Sequence, residues 1–101
     1  MTENPKTIHV AIGNSDNKLT QREWAGYWYD ANACVEAAAI EIYGVWASSP
    51  TSQYQNAAWS FKPLNDDYRQ RLRDRLADLA EQYEQDSIAW NESVTELITA
   101  P

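Results

Sequence analysis

The sequence predicts an α+β domain with six elements in the order strand, helix, strand, strand, helix, strand. Three observations lead to this order. Two long segments carry apolar residues at helical spacing, shorter segments beside them alternate apolar and polar residues, and turn-forming residues separate them. With 101 residues, 44% of them hydrophobic, the chain is long enough for one domain with a single core. We expect a flexible lead over residues 1–6 and one globular α+β domain over residues 7–101.

The first strand and the start of the first helix have the clearest local patterns. Residues 7–12 alternate, so that Ile8, Val10 and Ile12 share one face and His9 lies on the other. Residues 14–18 favour turns. Thr20 followed three residues later by Glu23 is a capping box, and Leu19 with Trp24 occupies the positions of a hydrophobic staple. The first helix is therefore predicted to begin at Thr20.

Helical periodicity continues from Thr20 to about Ile42, which is the predicted extent of the first helix. One face carries a continuous apolar stripe, the predicted core side: Trp24, Trp28, Ala31, Val35, Ala38 and Ile42. The opposite face carries a second stripe of small and apolar residues: Gly26, Tyr29, Ala33, Ala37 and Ile40. An unpartnered apolar face indicates association, so Tyr29, Ala33, Ala37 and Ile40 are a candidate homodimer interface. The alternative is that the alanines are simply good helix formers on a surface.

The second half of the chain contains the remaining predicted elements, two strands, a helix and a last strand. Residues 43–47 and 56–62 are predicted strands, joined by a turn-rich connection, and Pro63 ends the second of them. The second helix begins near Asn65, ends between residues 84 and 86, and has its own core stripe: Tyr68, Leu72, Leu76, Leu79 and Tyr83. Residues 87–90 form a last short strand, with residues 94–98 as an optional continuation.

This order of elements predicts a specific topology. Two amphipathic helices on one face of a four-stranded antiparallel sheet, connected as βαββαβ, form the ferredoxin-like split βαβ arrangement. Right-handed crossovers favour the same solution.

Charge and composition exclude several classes of function. The net charge of −7 opposes binding to nucleic acid phosphates, which requires a basic surface. One cysteine and one histidine provide neither a disulfide nor a zinc-ligand spacing, so no metal and no cofactor is predicted. No segment approaches the length of a membrane span, and residues 1–6 lack the layout of a signal peptide. We therefore expect a cytoplasmic protein.

In the predicted topology, three connections meet at one end of the sheet. Their polar residues, beside tryptophans that provide a stacking surface, are a candidate site for a small nucleotide-like ligand. The candidate ligand-binding residues are Asn14, Ser15, Asp16, Lys18, Gln55, Asn56, Trp59, Asp86, Ser87 and Trp90. Turns and helix caps use the same residue types for structural reasons, so the alternative is a purely structural role.

Two other groups of residues have a chemical interpretation. Four arginines of the second helix, between Arg69 and Arg75, are either an anion-binding patch or part of a salt-bridged surface, since Asp67–Arg71, Arg71–Asp74 and Arg75–Asp78 fall at pairing distance. Cys34 and His9 are the only candidates for a nucleophile and its base. The topology places them on different sides of the sheet, so no catalytic residue is predicted.

Three segments carry a resemblance: residues 12–21 (IGNSDNKLTQ) with Glu23 and Trp24, residues 54–59 (YQNAAW) and residues 85–90 (QDSIAW). Together they resemble a family of small proteins of actinobacteria and their phages, over nearly the whole chain. That family has no established activity. The resemblance implies a phage-type accessory protein that acts on host defence or regulation.

These observations favour a non-enzymatic binding protein that sequesters a nucleotide-like signal or inhibits a host defence protein. One alternative is an acidic interaction protein that imitates DNA through carboxylates of the second helix: Asp66, Asp67, Asp74, Asp78, Glu81 and Glu84. The other alternative is a small dimeric enzyme of ferredoxin-like fold.

Overall fold

The structure, a computed structural model, describes residues 6–14, 18–49, 54–94 and 96–101. Its elements are β1 (Lys6–Gly13), α1 (Gln21–Ala38), β2 (Ala39–Ala47), β3 (Asn56–Pro63), α2 (Asp66–Gln82) and β4 (Ala89–Val94). The strands form one antiparallel sheet in the order β2-β3-β1-β4. Both helices pack on one face of this sheet, so the predicted ferredoxin-like βαββαβ fold is confirmed. None of the helices in the described ranges is long and apolar enough to cross a membrane.

The core lies between the helices and the two central strands. Ile8 and Val10 of β1 and Trp59 and Phe61 of β3 are completely buried, which confirms the alternation predicted for these strands. On α1, sequence periodicity missed Tyr27, which is also completely buried. Its ring stacks on that of Tyr83, the residue that caps the end of α2, with ring centres 4.8 Å apart. This stack is one of the contacts through which the two helices pack together.

The predicted start of α1 is confirmed in detail. Thr20 Oγ1 accepts a hydrogen bond from Glu23 N (3.1 Å), and Glu23 Oε1 accepts one from Thr20 N (3.0 Å). Leu19 and Trp24, the predicted staple pair, are both buried in the core. The cap therefore satisfies two backbone N–H groups that the first helical turn leaves without partners.

The predicted end of α1 is wrong. The helix ends at Ala38, and β2 begins directly at Ala39, so Ile40 and Ile42 belong to a strand. Neither glycine nor proline marks this boundary in the sequence, and apolar residues at 38, 40 and 42 fit a strand as well as a helix. Ala39 lies opposite Pro63 of β3, and this pairing makes the segment after Ala38 a strand instead of a helix.

The remaining boundaries differ by a few residues. The second helix begins next to Asn65 as predicted, and Asn65 is its cap, since Oδ1 accepts a hydrogen bond from Tyr68 N (3.0 Å), but the helix ends at Gln82. The last strand covers Ala89–Val94 instead of residues 87–90, and residues 96–101 have no regular structure. Lys6, assigned to the flexible lead, begins β1, while the rest of that lead (residues 1–5) lies outside the described residues.

The second stripe predicted on α1 is not one continuous helix face. Ile40 lies in β2, and Gly26 faces α2, where an added Cβ would lie 3.0 Å from the hydroxyl of Tyr83. Ala33 and Ala37 line a groove between the two helices, and Tyr29 is exposed. Part of the stripe therefore has an intramolecular explanation, because small residues allow α2 to approach α1 closely.

Tyr27→Phe is expected to leave stability at pH 7 unchanged or to raise it by up to about 1 kcal/mol. The reason is that the buried Tyr27 hydroxyl has no hydrogen-bond partner among the described residues. Burial raises the pKa of Tyr27 to about 12, and burial with the hydrogen bond to Asp30 raises the pKa of Tyr83 to about 12.

Tyr27→Phe should also reduce the loss of stability at alkaline pH. Tyrosine in the unfolded chain ionises near pH 10. Because the pKa values of Tyr27 and Tyr83 are higher in the folded state, these residues contribute stability that is complete below pH 10 and is lost as the pH rises to about 12. The Phe variant should lose less stability over that range than the wild type, as measured by urea unfolding at each pH. Tyr29→Phe, at an exposed position, is the control. A loss above about 1 kcal/mol at pH 7 would show that the Tyr27 hydroxyl has a partner.

Candidate functional site

Asn14 is part of the scaffold and not a ligand contact, which corrects the prediction for this residue. Its side chain is completely buried: Nδ2 donates to the carbonyl oxygen of Leu19 and Oδ1 accepts from Leu19 N, both at 3.0 Å. Its backbone N–H donates to Gln55 O (2.8 Å). Asn14 therefore closes the loop before α1 and joins it to the segment before β3.

A second amide side chain at this end of the sheet, that of Gln55, also binds a protein group. The side-chain amide of Gln55 is almost completely buried and exchanges two hydrogen bonds of 3.1 Å with the amide of Gln21. Asn56 is exposed, and its backbone N–H donates to Ser48 Oγ (2.9 Å). Buried polar groups require partners, and Gln55 finds one in α1. The structure therefore favours a structural role for Gln55.

Trp59 cannot provide the predicted stacking surface. It is completely buried on the helix side of β3, where its Nε1 donates to Asn32 Oδ1 (2.9 Å) and Trp28 lies 6.0 Å away between ring centres. Lys18 is exposed, with Nζ 3.5 Å from Glu84 O. Ser15 and Asp16 lie outside the described residues.

Three predicted residues do line one cavity. Asp86, Ser87 and Trp90 contribute to an open cleft of about 520 Å³ between α2 and the segment that enters β4. The apolar wall includes Leu76 and Ile88. This α2–β4 cleft lies beside an edge strand, which is why Trp90 is only half-buried although it pairs with the buried Val10.

Arg73, one of the four arginines that the sequence offered as an anion-binding patch, also lines the α2–β4 cleft, although it was not among the candidate ligand-binding residues. Its guanidinium carbon lies 5.2 Å from the centre of the Trp90 ring, a cation–π contact. The indole Nε1–H of Trp90 is buried and has no hydrogen-bond partner in the described part of the chain. A buried donor without an acceptor is costly, so an acceptor supplied by a ligand would stabilise it.

The arginines of α2 do not form the surface predicted from helical spacing. Arg69 forms a bidentate pair with Glu92 of β4, with Nη2 3.0 Å from Oε2, and this pair lowers the pKa of Glu92. Arg71 lies over the ring of Tyr68 at 5.5 Å. Within the described ranges, none of the three predicted Asp–Arg pairs along α2 lies within 4.0 Å. Arg69 instead contacts the edge strand, and Arg71 and Arg73 lie over aromatic rings.

No arrangement for nucleophilic catalysis is present around Cys34 in the described structure. Cys34 lines the groove between α1 and α2, whereas His9 lies on the opposite face of the sheet, hydrogen-bonded to Ser60 and Ser93. No cluster of three potential metal ligands occurs among the described residues.

No protein-family model and no curated protein sequence matches the chain. Among solved structures, the chain is similar to a protein assigned as a glycine cleavage system transcriptional repressor, with a TM-score of 0.51 and 11% identity. The alignment covers 94% of this chain and 51% of that protein, so the chain spans about half its length. A dimeric ferredoxin-like protein from an uncultured marine organism gives a TM-score of 0.46 at 13% identity, with 97% and 95% of the two chains covered. Identities this low show the fold alone.

Proposed function

We propose that the protein is a non-enzymatic accessory protein that binds a nucleotide-like small molecule in the α2–β4 cleft. The observation that carries this proposal is that Trp90 lines the cleft and that its buried Nε1–H has no acceptor among the described residues. In the phage context that the sequence resemblance implies, binding would remove a host signal from solution.

The chemistry of the cleft supports a ligand of mixed polarity. Arg73 offers a cation that binds phosphate oxygens, while Asp86 and Glu81 are acceptors for the amino groups of a base. Leu76 and Ile88 provide apolar surface for a planar ring. Pockets for small molecules combine an apolar wall with a few polar groups in this way.

The experiment is a thermal-shift and tryptophan-fluorescence titration with AMP, GMP and cyclic dinucleotides as probes. A ligand at a hundred times its Kd stabilises the folded state by about 2.7 kcal/mol, which raises Tm measurably. Trp90→Phe keeps a ring and removes the N–H donor, so it should weaken binding by about tenfold or more. Arg73→Gln should also weaken binding, because every one of these probes carries a phosphate that the guanidinium can bind.

Matched controls separate the cleft from the rest of the surface. Trp46→Phe changes an exposed tryptophan on β2, and Arg75→Gln changes an arginine of the groove between α1 and α2. Both controls should bind the probes as the wild type does. The absence of any shift with all probes would overturn the proposed function, and unchanged affinity in Trp90→Phe would overturn the α2–β4 cleft as its site.

A further inference from the structure

The face of the sheet opposite the helices has an unusual composition for this chain. Strand pairing places small or uncharged residues on it, and among the described strand residues its charges are those of Glu41 and Lys62. These two residues lie opposite each other on β2 and β3. In a chain with net charge −7, Glu41 is the only acidic residue on this face among the described strands.

The polar groups near the centre of this face pair with one another. His9 of β1 lies between two hydroxyls, with Nδ1 2.5 Å from Ser60 Oγ and Nε2 3.2 Å from Ser93 Oγ. Ala11 and Ala58 lie opposite each other beside this group and have little side chain to project. When a partner displaces water from a surface whose polar groups already bond to one another, few hydrogen bonds are lost.

We infer that this sheet face is the contact surface for a second copy of the chain. Two molecules that each carry a charge of −7 repel through most of their surfaces, and the sheet face is where the described strands bring almost no acidic groups. The face is itself close to neutral, which disfavours a strongly charged partner. At its margin Trp46 is 56% exposed and lies against Gly44, where it provides an aromatic anchor.

The available area is sufficient for a small interface. Four strands about 4.8 Å apart and about eight residues long, at about 3.3 Å per residue, cover about 500 Å². Two such faces bury about 1,000 Å² in the pair, which is the lower limit for a specific interface. We therefore expect a dimer whose population depends on concentration in the accessible range.

Sedimentation velocity over a concentration series tests this inference with two matched substitutions. Ala58→Asp places a carboxylate on the central strand of the sheet face and should raise the dimer dissociation constant by at least about 100-fold, because it puts an unpaired charge in the contact. Ala37→Asp places the same group at an exposed position of α1 that lines the groove to α2, within the interface predicted from the sequence, and should leave the dissociation constant unchanged. Circular dichroism and Tm verify that both variants fold.

The outcomes are distinct. A wild type that remains monomeric at every concentration overturns the inference, as does a dimer that Ala37→Asp dissociates and Ala58→Asp does not. If Ala58→Asp fails to fold, Trp46→Ser decides, since it alters only an exposed side chain of the edge strand. A weakening of tenfold or more by Trp46→Ser supports the sheet face, and an unchanged dissociation constant refutes it.

Discussion

Trp59→Ala is expected to lower the free energy of unfolding by about 3–5 kcal/mol, the largest effect of any single substitution considered for this chain. Trp59 is completely buried on a central strand, so its removal leaves a cavity that neighbouring side chains fill only in part. The substitution also removes the donor to Asn32 Oδ1. Urea unfolding followed by circular dichroism measures the loss.

The control for Trp59 comes from the same short segment of sequence. Tyr54→Ala removes an aromatic side chain that is 55% exposed, and its effect should stay within about 0.5 kcal/mol. Trp59→Phe keeps much of the ring volume, so its free energy of unfolding should lie between those of Trp59→Ala and Tyr54→Ala. A loss below about 1 kcal/mol for Trp59→Ala would contradict the burial of this residue and restore it as a candidate for ligand stacking.

Asn14→Ala is expected to lower the free energy of unfolding by about 2–4 kcal/mol. The substitution removes both hydrogen bonds to Leu19 and leaves a buried N–H and a buried carbonyl without partners. Leu19 lies directly before the cap residue Thr20, so the entry into α1 should loosen as well. Hydrogen exchange at the first turn of α1 would report this local effect.

Asn56→Ala is the matched control for Asn14. Asn56 lies at the same end of the sheet, but it is exposed, and the hydrogen bond that it donates to Ser48 comes from its backbone. The free energy of unfolding of the variant should therefore differ from that of the wild type by less than about 0.5 kcal/mol. Equal losses in the two variants would mean that the side chain of Asn14 has no special role in closing the loop.

Asn14, Gln55 and Trp59 are candidate ligand-binding residues that the structure buries. The sequence drew attention to Asn14, Gln55 and Trp59 because polar loops beside tryptophans are typical of ligand sites. The same residue types close loops and fill cores, and only burial and hydrogen-bond partners distinguish the two roles. By this test all three residues support the fold, whereas the side chain of Trp90 retains an unmet donor.

Strand position explains why Trp59 and Trp90 differ. Both side chains point to the helix face, since Trp59 and Trp90 each lie opposite Val10 in the sheet. Trp59 is on β3, which has a neighbour on either side, whereas Trp90 is on the edge strand β4. Periodicity assigns a residue to a face, but it does not reveal whether a strand is central or at an edge.

The sequence by itself determined what local interactions control. Four predictions depend on neighbours within a few residues: the capping box at Thr20, the start of α2 near Asn65, the alternation of β1 and β3, and the order of elements. With the right-handed crossover, these were sufficient to predict the ferredoxin-like fold.

Only the tertiary structure decided the features that depend on distant residues. The end of α1 is set by pairing of Ala39 with Pro63 across the sheet, because the helical pattern continues without a stop signal. Arg73 lies on Trp90, and Arg69 pairs with Glu92, because α2 packs beside β4, a contact that spacing along the helix does not reveal. Local patterns fix which elements form, and long-range packing determines which of their side chains remain available for function.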